Sequence, residues 1–171
     1  MTLETIGKTY KITRERVRQI ENYSFGVIRK SAAYGKEAAA LSELERLIDS
    51  HGGLVHEKEF LKAISGDRGV QNHIHFLLVL GEAFKKRKED DDFYHRWFVN
   101  DELANKVEAS IKKLYESLTD EELIPEAEMI TRFLDGIKDI SEKYKNEEIA
   151  RRWLLISKRI GKNPLNEWGM A

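Results

Sequence analysis

The chain has 171 residues, of which 41% are hydrophobic and 35% charged, with 29 Lys or Arg against 30 Asp or Glu and no cysteine. That excludes disulfides and thiolate zinc sites, and a longest apolar run of Phe76–Leu80 is far too short to span a bilayer. The near-neutral total hides an asymmetry: residues 1–36 carry +5 and the remainder −6, so a basic head precedes an acidic body, and the head is the part suited to a polyanion.

Thr2 is placed to cap a helix over Leu3–Tyr10, with Leu3 and Ile6 on one face. Lys11-Ile12 reads as a tight turn, Thr13 as a second N-cap, and Glu15 suits the positive end of the helix that follows. Val17, Ile20, Ser24 and Val27 extend one face of that helix to about Lys30. Helix, tight turn and capped helix make a helix-turn-helix. Ser31–Gly35 reads as a small-residue linker. Leu41, Leu44, Leu47 and Ile48 mark an amphipathic helix closed by Gly52-Gly53, His56–Ile64 a short second one, and Asp67–Leu80 a third, closed by Gly81. Ala83–Lys88 and Phe93–Val99 are β-prone stretches around Glu89–Asp92, a hairpin with a charged tip. Three helices followed by a hairpin is the winged-helix order.

Beyond Asp101 the spacing of Leu103, Val107, Ile111, Leu114 and Leu118 is helical, and Thr119–Glu122 has capping-box spacing. Pro125 implies a break or a fresh start. Met129–Ile140 reads as helix. Asn146 caps a last one with the apolar face Ile149, Trp153, Ile156 and Ile160, stopped by Gly161 and Asn163-Pro164. Trp168 in the tail needs a surface to pack on, so the expectation is that the chain breaks off inside a further domain. No internal repeat is read. The expected fold is mainly α: a helix-turn-helix over 1–36, a winged-helix-like domain with a small β-hairpin over 37–100, and further helices over 101–171.

The informative string is Thr2-Leu-Glu-Thr-Ile-Gly-Lys-Thr-Tyr-Lys-Ile-Thr-Arg-Glu-Arg-Val-Arg-Gln-Ile-Glu21. Arg14, Glu15, Arg18 and Gln19 occupy the first two turns of the second helix, the turns that enter the major groove in this motif. Arg pairs with guanine, Glu accepts from cytosine and Gln suits adenine. Arg16 lies off that face, in reach of phosphate, and Lys8, Lys11 and Arg29 are further phosphate candidates, which add affinity without sequence information.

This string resembles the last two helices of region 4 in bacterial primary sigma factors, a likeness that covers residues 2–21 well and fades by about residue 30. The resemblance implies that the second helix reads a promoter element through Arg14, Glu15, Arg18 and Gln19, with Arg16 on the backbone, and that the domain docks on RNA polymerase. A counterpart of the aromatic-rich promoter-melting helix is not found, which favours a regulator that borrowed the reading element over a complete sigma factor. Residues 40–100 resemble the winged-helix modules of HARE-type proteins and of the N-terminal domain of the RNA polymerase delta subunit, on element order and apolar spacing. The third helix of that segment has Arg68 as its one Lys or Arg. Lys85, Lys86, Arg87 and Lys88 could touch phosphate, whereas Asp90–Asp92 would repel it, so a protein-docking or structural role ranks ahead of DNA binding there.

His73 and His75 stand two apart, the wrong spacing for a helical metal pair. Glu89–Asp92 lacks the alternation and glycine of a calcium loop and reads as a solvated turn. Tyr94, Trp97 and Phe98 read as core and flank, not as a base-stacking platform. With no phosphate loop and no triad, no enzyme activity, metal or cofactor is expected. The reading is a cytoplasmic DNA-binding transcription regulator whose partners are duplex DNA and RNA polymerase, with no membrane. Its alternatives are a polymerase- or protein-docking module and the targeting part of a DNA-processing enzyme.

Overall fold

The computed structural model describes residues 2–171 and divides the chain into two compact units, one ending at Glu43 and the other spanning Leu44–Ala171. In the first unit α1 (Leu3–Tyr10) and α2 (Arg14–Arg29) are followed by a short α3 (Ala32–Lys36). The expected linker at Ser31–Gly35 is therefore helical. Ser31 caps it, its hydroxyl accepting from the Tyr34 N–H at 3.3 Å, and small residues carry no bar to a helix once a cap starts one. Val17 is the single buried hydrophobic side chain among the described residues of this unit. Local caps and turn bonds therefore do more of the holding here than core burial does.

The division between the units falls within α4 (Ala38–Ser50). After it come β1 (Leu54–His56), α5 (Glu57–Ile64), α6 (Arg68–Leu80), β2 (Lys85–Arg87) and β3 (Arg96–Phe98). The hairpin expected around Glu89–Asp92 is present, with β3 central and antiparallel to both neighbours in the order β1-β3-β2. Val55 and Lys86 both lie opposite Trp97.

Residues from Asp101 onward repeat that order. They form α7 (Asp101–Glu116), β4 (Ile124–Pro125), α8 (Glu126–Gly136), a 3-10 turn at Glu142–Tyr144, α9 (Glu147–Leu154), β5 (Ile160–Lys162) and β6 (Glu167–Met170), with the sheet order β4-β6-β5. Each half of the second unit is thus helix, strand, helix, helix, strand, strand, with the last strand between the other two. This corrects the reading that the chain holds no internal repeat. It also corrects the description of 101–171 as helices alone. α9 stops at Leu154, and Ile160, which continues its apolar spacing, lies in a strand opposite Met170. Thr119–Glu122 is a turn and not a helix start, and α8 ends at Gly136, four residues before Ile140. Trp168 needs no further domain to cover it, because it is fully buried opposite Ile124.

One apolar core runs through both halves, joining Leu54, Phe93 and Phe98 to Val107, Phe133, Trp153 and Trp168. α9 seats its Ile149 and Trp153 on the α4–β1 turn. There Gly52 has φ +106°, and a Cβ on it would come within 2.7 Å of Ile149 Cγ2 and 2.9 Å of Trp153 Nε1. Glycine is required on both counts. Asp49 on α4 reinforces the seat, accepting from Lys143 Nζ at 2.8 Å and from the Tyr144 hydroxyl at 2.5 Å. The acidic hairpin tip is part of the same junction. Asp92 accepts from Lys112 at 2.9 Å and Arg159 at 3.2 Å, and Glu89 from Lys158 at 2.5 Å. Asp90 accepts from the backbone N–H groups of Asp92 and Phe93 and from Arg96. The solvated turn expected there is a stapled one.

Candidate nucleic-acid interface

The geometry of the first unit begins with its turn. The Ile12 N–H reaches back to the Gly7 carbonyl at 2.9 Å, and Lys11 takes the left-handed conformation at φ +54°, which closes α1 and reverses the chain. Gly7 is buried where the turn crosses it: a Cβ there would stand 2.7 Å from the Ile12 carbonyl oxygen. A glycine at this position lets the two helices approach. α2 then opens on Thr13, whose hydroxyl accepts from the Arg16 N–H at 3.1 Å.

Arg14, Glu15, Arg16, Arg18 and Gln19 are all exposed on the first two turns of α2, as are Lys8 and Lys11 before it. Arg18 and Glu15 form a two-bond pair, with Nε to Oε2 at 2.9 Å and Nη2 to Oε1 at 2.6 Å. Gln19 joins them, its Nε2 donating to Glu15 Oε1 at 3.5 Å and its Oε1 accepting from Arg16 Nη1 at 3.3 Å. The hydrogen bond from Arg18 holds the Glu15 carboxyl below its ordinary range, and Arg18 is raised in return. The four side chains form one exposed hydrogen-bonded string across a helix face, in which Arg18 is oriented by Glu15 before any ligand arrives. Arg14 makes no side-chain hydrogen bond among the described residues and stands at the N-terminal tip. Arg29 lies nearly three turns beyond that string, half-buried, its guanidinium 5.9 Å from the Phe25 ring.

The second cluster of cations, on β2, is arranged otherwise. Lys85 is paired with Asp101, Lys86 with Glu57 at 2.5 Å, and Arg87 with Glu108 at 2.8 Å and Asn105 at 2.7 Å. Arg96 is buried among Glu108, Asp90 and two backbone carbonyls. The reading of Lys85–Arg87 as phosphate contacts missed these partners, which come from α5 and α7. No group of three or more His, Asp or Glu able to hold a metal ion occurs among the described residues. His75 instead faces Glu57 at 3.5 Å, and His56 caps α5 through Nδ1.

Sequence reasoning also missed a pair of matched latches. Glu57, the first residue of α5, accepts from Trp97 Nε1 at 2.6 Å and from Lys86. Glu126, the first residue of α8, accepts from Trp168 Nε1 at 3.2 Å and from Lys162 at 3.0 Å. Burial would raise Glu57, but hydrogen bonds from His75, Lys86 and Trp97 outweigh it and hold the carboxyl at about 2. Hydrogen bonds from Lys162, Arg151 and Trp168 likewise lower Glu126 against its partial burial, the Lys162 bond being the strongest cause. The signal was present in the chain: Leu54-Val-His-Glu-Lys-Glu-Phe-Leu61 and Leu123-Ile-Pro-Glu-Ala-Glu-Met-Ile130 share one pattern.

The first unit is a helix-turn-helix with a polar, cation-rich face at the start of its second helix. Residues 1–30 match the family model for Sigma-70, region 4. No curated protein and no solved structure matches the chain. No helix of the described residues is long and apolar enough to cross a membrane.

Proposed function

We propose that the chain is a sequence-specific regulator of transcription that reads promoter-like duplex DNA with α2. In this reading Arg14, Glu15, Arg18 and Gln19 meet base edges in the major groove, while Arg16, Lys8, Lys11 and Arg29 hold phosphates. The observation that carries it is the exposed string from Arg14 to Gln19 at the capped start of α2, within the segment that matches region 4. The Glu15–Arg18 pair favours a fixed donor fork, the geometry a guanine edge requires. The reading is non-catalytic and needs no metal or cofactor.

The two halves of the second unit are read here as winged-helix modules, on their shared element and strand order. Their role in this proposal is protein docking or scaffolding, since Lys85, Lys86 and Arg87 are already neutralised within the fold. A second reading has its own support in the exposed apolar residues Tyr10, Ile20, Tyr23 and Val27 of the first unit, and makes that unit chiefly a docking element for RNA polymerase.

Selection of bound sequences from a random duplex pool, with and without polymerase, tests both. The first reading expects one enriched motif in the protein alone, lost in Arg18→Ala and Gln19→Ala. Variants of residues 14–19 that keep DNA binding and lose polymerase would establish the second.

A further inference from the structure

The two halves of the second unit correspond at named positions of their strands and helices, and one half is dressed where the other is bare. Leu54 and Leu123, Val55 and Ile124, and Glu57 and Glu126 each stand 69 residues apart, while His75 and Arg151, Leu78 and Leu154, and Lys86 and Lys162 each stand 76 apart. In these pairs the strand residues Val55 and Ile124 are both buried, both glutamates take an indole and a lysine, and both helix leucines are fully buried. The correspondence fails at two places, and the two are complementary.

The first is the strand side. Leu54 is 0% exposed, in the core that the second half joins to the first, whereas its counterpart Leu123 is 60% exposed. The second is the third helix. Ile149 and Trp153 of α9 are buried on the α4–β1 turn, whereas the matching stripe on α6 is His73 and Leu77, with Val70 and Phe76 beside it. Val70 is 41% exposed, Phe76 47%, and His73 is open to solvent. The molecule therefore shows what covers a third helix in this architecture, namely the turn-and-strand side of another half. It leaves one helix uncovered at one end and one strand side uncovered at the other.

We infer that this chain associates with a second copy of itself head to tail, α6 of one copy docking beside β4 and Leu123 of the next. Charge fits the pairing. α6 holds no carboxylate in its 13 residues and carries Arg68 and His73, while the turn ahead of β4 presents Asp120 and Glu121, both exposed. Two α6 helices face to face would gain apolar contact but would offer Arg68 no carboxylate of the facing helix. The α6 stripe holds a histidine where α9 holds isoleucine, and the turn ahead of β4 lacks the Gly52-Gly53 seat. The contact is accordingly weaker than the internal one, with a dissociation constant on the order of 10–100 µM. Because the two surfaces differ, the association is heterologous and extends beyond two chains unless it closes into a ring.

Sedimentation equilibrium of the full chain without DNA tests this. The weight-average mass of the wild type should rise above that of one chain over tens of micromolar and pass that of two, while Val70→Glu and Leu123→Glu alone should each stay at one chain. An equimolar mixture of the two variants should form a two-chain species that grows no further, since only one intact pair of surfaces remains. Both positions are exposed, so circular dichroism melts should match the wild type; Val70→Ser and Leu123→Ser repeat the test should either glutamate variant unfold. A wild type that stays at one chain up to about 1 mM overturns the inference, as does either variant pairing with itself or a mixture with no two-chain species. DNA plays no part in the measurement, so its result is independent of the proposal for α2.

Discussion

Two rows of cations, on α2 and on β2, show how little sequence charge says until its partners are known. Both are dense in Lys and Arg: 14, 16 and 18 on one, 85, 86 and 87 on the other. On β2 each cation is consumed by a carboxylate that the fold brings from α5 or α7. On α2 the ion pair of Arg18 with Glu15 is local and exposed. The β2 row is mortar between elements, and the α2 row is available as a surface. The same division runs through the folding of the two units. The first has Val17 as its buried hydrophobic residue and is held by the caps Thr2, Thr13 and Ser31, whereas the second packs Trp153, Trp168 and their neighbours into a continuous core.

The largest effect that would sharpen this comparison is Trp153→Ala. Removing a fully buried indole from the core should cost the second unit about 3–5 kcal/mol in urea unfolding, with no loss of DNA affinity per folded molecule. A parallel loss of site-specific binding would break the distinction between the units. Next is Gly7→Ala, which pushes a methyl against the Ile12 carbonyl oxygen. It should cost the helix-turn-helix about 2–4 kcal/mol and abolish specific binding while the main melting transition stays put.

Smaller is Glu57→Gln, expected to cost the second unit about 1–3 kcal/mol near neutral pH by weakening its bonds to Lys86, Trp97 and His75. The Glu57 carboxyl sits at about 2 in the fold against an ordinary 4.5, so its contribution is complete above 4.5 and disappears as pH falls from there through 2. Stability of the wild type should fall over that window more steeply than that of Glu57→Gln. Smallest is Lys85→Ala. It should leave DNA affinity and its salt dependence unchanged, whereas Lys8→Ala or Lys11→Ala should each lower the salt slope by about 0.9.

Much of this arrangement was legible in the chain, for reasons that also mark the limits. Caps announce helices locally, and Thr2, Thr13 and Asn146 all accept the backbone bond expected of them. Strands of two or three residues, such as β4 and β1, are too short for alternation to register. Ile160 follows Ile149, Trp153 and Ile156 at helical spacing, so nothing local separated β5 from α9. The fate of Lys85–Arg87 depended on Glu57, Asp101 and Glu108, which lie 16 to 29 positions from the cations they pair with and meet them only through tertiary structure. The duplication was visible only as eight residues of shared pattern, and the matched tryptophans make sense of it once the sheets are known. The exposed polar face proposed here to read bases was legible on α2 because the cap, the turn and the Glu15–Arg18 pair all lie within twenty consecutive residues.

The most direct test of the central claim is the affinity of wild type and Arg18→Ala for one selected duplex and for every single-base substitution of it, at fixed salt. If α2 reads base edges, Arg18→Ala loses about 1–3 kcal/mol on the parent site and becomes indifferent to the base at one position, while other positions keep their ranking. A uniform loss across all substituted duplexes, with the ranking of bases unchanged everywhere, would contradict the account.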